Sequence, residues 1–462
     1  MPIIIPANSA VGGGFDVDNS LRFNRPSSDY LNRTQSGGSA TTKITFSTWL
    51  KRTNLGIETW MFDAPNSSNQ SDGFRHLTND TLQFLLNDNY VLTTNRVFRD
   101  TSAWYHLVVV MDTTQGTDSN RVKIYVNGVQ ETSFSATSYP SQNATAQGLF
   151  VSGRPLYIGR QSGGNYLDGY LAETVFIDGQ ALAPTSFGEF DEDSGVWKPI
   201  DVSGLTFGTN GCYLDFEDSS ALGNDAAGSN NFTVNNLTAI DQSTDTCTNN
   251  FATWNRLIAP TFSNHNLIDG NLTVEGETSS QNTAFTTFAV SQGKWFCEMK
   301  LTVEGNSSST VPNFGIASTA DFRHADSEAY SETSGTNIYA GAVNNSQINR
   351  NGSNSGTSLS TTPDVGDIMG LALDLDSGTK TLKFYLNGSL VGTVNINADE
   401  YCFITAVKED NNKATVQGNF GGTNTYTVSS GNADGNGYGN FEYAVPSGYL
   451  SLNTKNLSEV LS

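Results

Sequence analysis

Two carboxylate pairs, Asp215-Phe-Glu217 and Asp374-Leu-Asp376, have a spacing that suits hydrolysis of a glycosidic bond. Such hydrolases set two acids roughly 5 to 9 Å apart across the bond to be cut. Alternate residues of one strand share a face and stand about 6.5 to 7 Å apart. The second pair runs straight into Ser377-Gly378, where Asp is a routine turn former, and the first sits at the mouth of a Gly-rich stretch. The expectation is that neither pair catalyses and that the protein is not an enzyme. His76, His106, His265 and His324 form no ligand-spaced pair, so a zinc site would need donors from distant segments. His106 lies inside an apolar run and is expected to be a hydrogen-bonded core residue. No nucleophile-base arrangement, phosphate loop or dinucleotide fingerprint is present.

Recognition chemistry has better support. Sugar rings stack on exposed aromatic faces, while Asn and Asp take the hydroxyls. Trp60, Phe74, Tyr90 and Tyr166 stand beside Asp63, Asn89, Asn165 and Asp168. The candidate ligand-binding residues are therefore Trp60, Asp63, Tyr90, Tyr166 and Asp168; the competing role for each aromatic is to cap the end of a sandwich. In the second half, Asp321-Phe-Arg-His324 and the Asn/Ser-rich stretch from Asn344 to Ser360 have the polarity of a binding rim or of a solvated loop. Acidic turns at Asp191-Glu-Asp193 and Asp434-Gly-Asn-Gly437 supply the oxygen ligands a Ca²⁺ ion takes, although no EF-hand loop or RTX repeat occurs. No cofactor is expected beyond such a structural Ca²⁺, and whether any metal binds is left open.

The whole-chain numbers bound these readings. The sequence has 462 residues, 46 acidic against 24 basic, for a net charge of −22 carried by only 15% charged residues. Nucleic acid and anionic membranes both call for clustered Lys and Arg, which are absent, so neither is an expected partner. No apolar run approaches the roughly 18 residues of a membrane span. The start, Met1-Pro-Ile-Ile-Ile-Pro6, lacks the basic and long apolar regions of a secretory signal, so either the mature chain begins elsewhere or, as expected here, synthesis is cytoplasmic. Cys212, Cys247, Cys297 and Cys402 are widely spaced, which favours reduced structural thiols.

Short alternating or apolar runs between Gly, Asn, Asp and Ser clusters place these residues on strands. Lys43-Ile-Thr-Phe-Ser-Thr-Trp-Leu50 turns Ile44, Phe46 and Leu50 to one side and Trp49 to the other. Trp104-Tyr-His-Leu-Val-Val-Val-Met111 is apolar on both sides and should be a covered central strand. Arg121-Val-Lys-Ile-Tyr-Val-Asn-Gly128 and Thr381-Leu-Lys-Phe-Tyr-Leu-Asn-Gly388 match in residue type and end in the dipeptide of a tight hairpin. A short helix near Pro184 to Phe190 is the one helical expectation. The fold expected is all-β: two jelly-roll-like antiparallel sandwiches joined by a connector. The divisions are an extended arm at 1–16, a first sandwich at 17–200, a connector at 201–260 that lends strands to either side, and a second sandwich at 261–462.

Phe46-Ser-Thr-Trp-Leu-Lys51, Trp104-Tyr-His-Leu-Val-Val-Val110, Arg121 to Gly128, Leu156-Tyr-Ile-Gly159 and Leu167-Asp-Gly-Tyr-Leu-Ala-Glu173 follow in an order that resembles laminin-G-like and concanavalin-A-like domains. Gly293-Lys-Trp-Phe-Cys-Glu298, Gly366 to Asp376, Leu382 to Gly388 and Pro446-Ser-Gly-Tyr449 resemble a SPRY domain. The succession of the two, linked through Phe176 to Leu182, Phe187 to Pro199 and Asn249-Asn-Phe-Ala-Thr-Trp254, resembles structural proteins of tailed phages. That resemblance implies a virion surface protein, a tail fibre or adhesin contacting host surface glycans, with capsid decoration as an alternative. An exported lectin or a glycan hydrolase are the others. It also implies other virion proteins as partners, a homo-oligomeric state, docking of Ile3-Ile-Ile5 by strand addition, and Asp63 and Asp168 as further Ca²⁺ candidates.

Overall fold

Period-two patterning leaves the backbone few choices other than paired strands, and the chain is almost entirely β. The computed structural model describes residues 14–37, 41–258, 265–277, 282–305, 312–324, 337–410 and 412–461. Two compact units divide in sequence between Thr248 and Asn249.

The first unit is built on two eight-stranded antiparallel sheets. One is ordered Val129–Gln130, Val122–Val126, Trp104–Asp112, Lys43–Arg52, Gly169–Asp178, Ser20–Phe23 and Gln242–Ser243, with Cys212–Leu214 also pairing to Gly169–Asp178. The other is ordered Phe134–Thr137, Asn89–Val97, Thr81–Leu86, Ser71–His76, Thr59–Pro65, Pro155–Ile158, Tyr30–Thr34 and Thr233–Asn235. Their inner faces interlock around Phe46, whose ring centroid lies 4.7 Å from Phe62 and 4.8 Å from Phe176. Ile44 and Leu50 join this core, and Trp49 points the other way, into an outer cluster with Trp104, Tyr170 and Trp197. The outer face of the first sheet is thus covered as well. Phe187, Val202, Phe207 and Tyr213 pack over Val108, Val175 and Ile177 there.

That double covering explains His106. The Trp197 Nε1–H can only donate, and it lies 2.9 Å from His106 Nδ1, so the proton sits on Nε2, 2.8 Å from Ser47 Oγ. Burial holds the imidazole neutral, with a pKa of about 3.

The segment expected as a connector is taken up by both units rather than lying between them. Thr233–Asn235 pairs with Tyr30–Thr34, and Gln242–Ser243 with Ser20–Phe23, so each supplies hydrogen-bond partners to a strand that would otherwise be a sheet edge. Asp245 then forms a buried 2.6 Å ion pair with Lys51 and accepts from Trp104 Nε1 at 3.1 Å. From Asn249 onward the chain belongs to the second unit, where Trp254 is fully buried. At the start, Phe15 packs on the outer cluster and the Val17 N–H donates to Thr248 Oγ1, so residues 15–17 are part of the sandwich and not a free arm. The remainder of the expected arm, residues 1–13 with Ile3-Ile-Ile5, lies outside the described residues.

The second unit has a sheet ordered His265–Ile268, Thr273–Gly276, Thr415–Asn419, Lys294–Val303, Ile368–Asp374, Thr381–Leu386 and Ser389–Asn395, with Leu450–Ser451 running parallel to Lys294–Val303. It faces a sheet ordered Asn282–Phe285, Tyr401–Val407, Asn313–Ser318, Ile338–Ala342, Asn345–Arg350 and Ser353–Ser358. Trp295, Cys297 and Met299 enter the core beside Met369, Leu371 and Leu373. Both expected hairpins form: Asn127 and Gly128 have φ of 48° and 77°, and Asn387 and Gly388 have 46° and 78°. Positive φ at both central residues is what a type I′ turn requires. The segment expected to be helical near Pro184 is a single 3₁₀ turn, Pro184–Ser186, because Gly188 leads directly into a strand paired with Trp197–Pro199. An α-helix does close the chain at Thr454–Leu461. All four cysteines are buried and unpaired.

Candidate functional site

The second sheet of the first unit buries Leu31, Phe62, Phe74, Phe84 and Leu156 against the core. Strand periodicity therefore turns Tyr30, Asp63, Arg75, Gln83 and Tyr157 to the opposite, outer face. Tyr157 pairs across the ladder with Asp63 on one side and Asn32 on the other. On this face two arginines are enclosed by aromatic rings.

The Arg160 guanidinium lies 4.5 Å from the ring centroid of Tyr30, 5.1 Å from Tyr157 and 5.2 Å from Tyr166. Its Nε donates to the Gln161 carbonyl at 2.7 Å and its Nη2 to the Ser162 carbonyl. The Arg75 guanidinium lies 4.9 Å from Trp60 and 5.5 Å from Tyr90. Glu58 Oε1 ties this second group together, accepting from Arg75 Nη1 at 3.0 Å, Trp60 Nε1 at 2.8 Å and Asn165 Nδ2 at 2.9 Å. The cations hold the rings by cation–π attraction and keep them from collapsing onto one another.

Beside the Arg160 group is an open cleft of about 590 Å³, lined among others by Pro65, Asn66, Arg154, Tyr157 and Ser162. Its two rims are rigid for identifiable reasons. Asn66 Oδ1 accepts the N–H groups of Ser68 and Gln70 at 2.8 and 3.0 Å, which shapes the 66–70 turn. Asp63 Oδ2 accepts the Ser162 N–H at 2.7 Å and fastens the turn at 161–164. Burial raises the Asp63 carboxyl to a pKa of about 6, although the Ser162 hydrogen bond opposes the shift. The cleft offers one half-exposed aromatic face, Tyr157, ringed by amide, hydroxyl and guanidinium groups. That arrangement can bind a polyhydroxylated ring; no nucleophile with an adjacent base lines it.

The residues singled out from the sequence fall around this site unevenly. Tyr166 belongs to the Arg160 group, and Asp63 lies under a rim of the cleft. Tyr90 is 55% exposed above Arg75. Trp60, expected as an exposed stacking surface, is fully buried. Its ring lies over Gly73, where a Cβ would come within 2.4 Å of it, and Arg75 covers it. Asp168 is buried too and accepts from Asn54 Nδ2 at 3.1 Å, and Phe74 is a core residue. Sequence reasoning missed Tyr157, Arg160, Arg154 and Asn66. The alternation in Leu156-Tyr-Ile-Gly159 does turn Tyr157 away from the core, but only the fold brings the turn at 66–70 beside it.

The acidic candidates have local tasks. Asp191 Oδ1 accepts from the Ser194 N–H at 2.9 Å and Oδ2 from Lys198 at 3.2 Å. Asp434 accepts the Asn436, Tyr438 and Ser451 N–H groups. Asp374 takes the Ser377 N–H and hydroxyl, plus Lys294 at 3.0 Å, as a turn former would. Asp215 Oδ1 is spent on the Glu217 N–H at 3.2 Å. Among the described residues no group of three or more His, Cys, Asp or Glu is placed to hold a metal ion. Of the second-half rim, the side chains of Arg323 and His324 lie outside the described residues.

Residues 25–185 match the family model described as the concanavalin A-like lectin/glucanases superfamily. No curated protein matches the sequence. Among solved structures, a putative carbohydrate binding protein from Bacteroides ovatus is similar at 16% identity, over 48% of this chain and 59% of that one, with a TM-score of 0.34. Domains LG4-5 of the mouse laminin alpha1 chain are similar at 11% identity over 88% and 90%, with a TM-score of 0.30. The SPRY domain of human HERC1 is similar at 13% identity over 35% and 94%, with a TM-score of 0.28.

Proposed function

We propose that the protein is a non-enzymatic phage virion surface protein, a tail-fibre or adhesin component that recognises host surface glycans through the cleft at Tyr157. The observation that carries the glycan reading is the Tyr157 ring, propped by Arg160 at 5.1 Å and open to a cleft with hydrogen-bonding rims. The family match over residues 25–185 supports it. The phage assignment rests on the succession of sequence motifs. In this reading the chain assembles as a homo-oligomer with other virion proteins and reaches the particle from the host cytoplasm.

The binding test is a saccharide array probed with the full chain and with Tyr157→Ala. Loss of one stacking face, worth about 1 kcal/mol, should weaken retained glycans roughly fivefold. Unchanged binding in the variant would remove the cleft from the proposal. Location is tested by antibody labelling of intact particles: label at the tail supports an adhesin, whereas label on every capsomer replaces it with capsid decoration.

A further inference from the structure

We infer that the cleft beside Tyr157 selects a carboxylate-bearing saccharide, such as a uronic acid, with Arg154 as the group that reads its charge. This deepens the glycan reading above and rests on it. The observation is the state of Arg154. Arg22, Arg52, Arg75, Arg96 and Arg99 each hold a carboxylate. Arg25, Arg33, Arg121 and Arg160 each hold backbone carbonyls. Among the described residues of the first unit, Arg154 is the arginine whose guanidinium engages neither, and it lines the cleft.

The surroundings sharpen the point. The chain carries a net charge of −22, so its average field repels anions, yet no carboxylate lines this cleft. Asp63 lies beneath the rim and is turned to the Ser162 N–H. A lone, half-buried guanidinium beside a stacking ring presents a planar fork that matches a carboxylate in two parallel hydrogen bonds. Arg154 and Tyr157 line the same cleft of about 590 Å³, so a sugar held there can meet both the ring and the fork. Ser67 and Asn69, which line the same cleft, are left for hydroxyls.

The experiment uses an array of uronate-containing oligosaccharides beside the same oligosaccharides with their carboxyls reduced to alcohols, probed with the full chain, Arg154→Gln, Arg154→Lys and Tyr157→Ala. Expected is binding confined to the acidic members, reduced at least tenfold in Arg154→Gln and partly kept in Arg154→Lys. Melting curves matching wild type would show that the variants fold. Equal retention of acidic and reduced members, lost in Tyr157→Ala but not in Arg154→Gln, would overturn the charge selection and leave the glycan reading standing. Retention of no member would remove both.

Discussion

At the scale of single residues, the buried acid Glu173 sets a pH dependence that its sequence context does not announce. A bulge between Ala172 and Val175 gives it a φ of 48° and turns it toward Tyr213, whose hydroxyl donates to it at 2.8 Å. Burial pushes its pKa up to about 8, the Tyr213 hydrogen bond works against the shift, and Asp215, Glu217 and Asp201 add to it. The folded state therefore holds a proton that the unfolded chain, with its ordinary value of 4.5, releases. The stabilisation is complete below pH 4.5 and is lost as pH rises through about 8. Glu173→Gln should flatten this slope: between pH 5 and pH 8 its melting temperature should fall less than that of wild type. Equal falls would mean that the carboxyl is already ionised at pH 5. The same residue explains why Asp215-Phe-Glu217 reads differently in three dimensions. The pair neighbours a third acid, and its charges help to raise that acid's pKa.

At the scale of elements, the strands were legible because each is a local pattern. Ile44, Phe46 and Leu50 against Trp49, or the two Asn-Gly hairpins, follow from alternation and from the turn dipeptide alone. Cys212–Leu214 and Thr233–Asn235 were legible as strands but not as to partner, and Gln242–Ser243 not at all, since so short a strand carries no pairing information of its own. Cys212–Leu214 finds its partner in Gly169–Asp178, while Thr233–Asn235 and Gln242–Ser243 pair with strands at the start of the chain, and the Lys51–Asp245 ion pair, with both side chains 1% exposed, ties the end of this segment down across a comparable separation. Asp245→Ala should destabilise the protein by about 3–5 kcal/mol, because it leaves the Lys51 charge buried without that carboxylate. Combining it with Lys51→Met should recover part of the loss. Denaturant titration of the single and double variants checks this, and a loss under about 1 kcal/mol in the single variant would show that Lys51 escapes to water.

At the scale of the whole molecule, the division between Thr248 and Asn249 makes a claim about folding units. A fragment ending at residue 200 lacks Cys212–Leu214, Thr233–Asn235 and Gln242–Ser243, and so leaves the edges of Gly169–Asp178, Tyr30–Thr34 and Ser20–Phe23 that they pair with bare. A fragment of residues 6–248 keeps them. The longer fragment should melt cooperatively and stay monodisperse, whereas the shorter should aggregate. Cooperative melting of the 1–200 fragment would show that the later strands only decorate a finished sandwich.

The all-β class, many of the strands and the inward residues of several came from the sequence by itself, because period-two burial and turn chemistry act over a few residues. The acidity was also plain there, and the structure shows many of the acids at work in turns, with Asp191, Asp374 and Asp434 each capping nearby N–H groups. The tertiary structure alone decided that Trp60 is hidden and Tyr157 open, and that Arg154 stands in a cleft free of carboxylates. Exposure and charge balance at a site are sums over neighbours from distant segments, and no local pattern contains them.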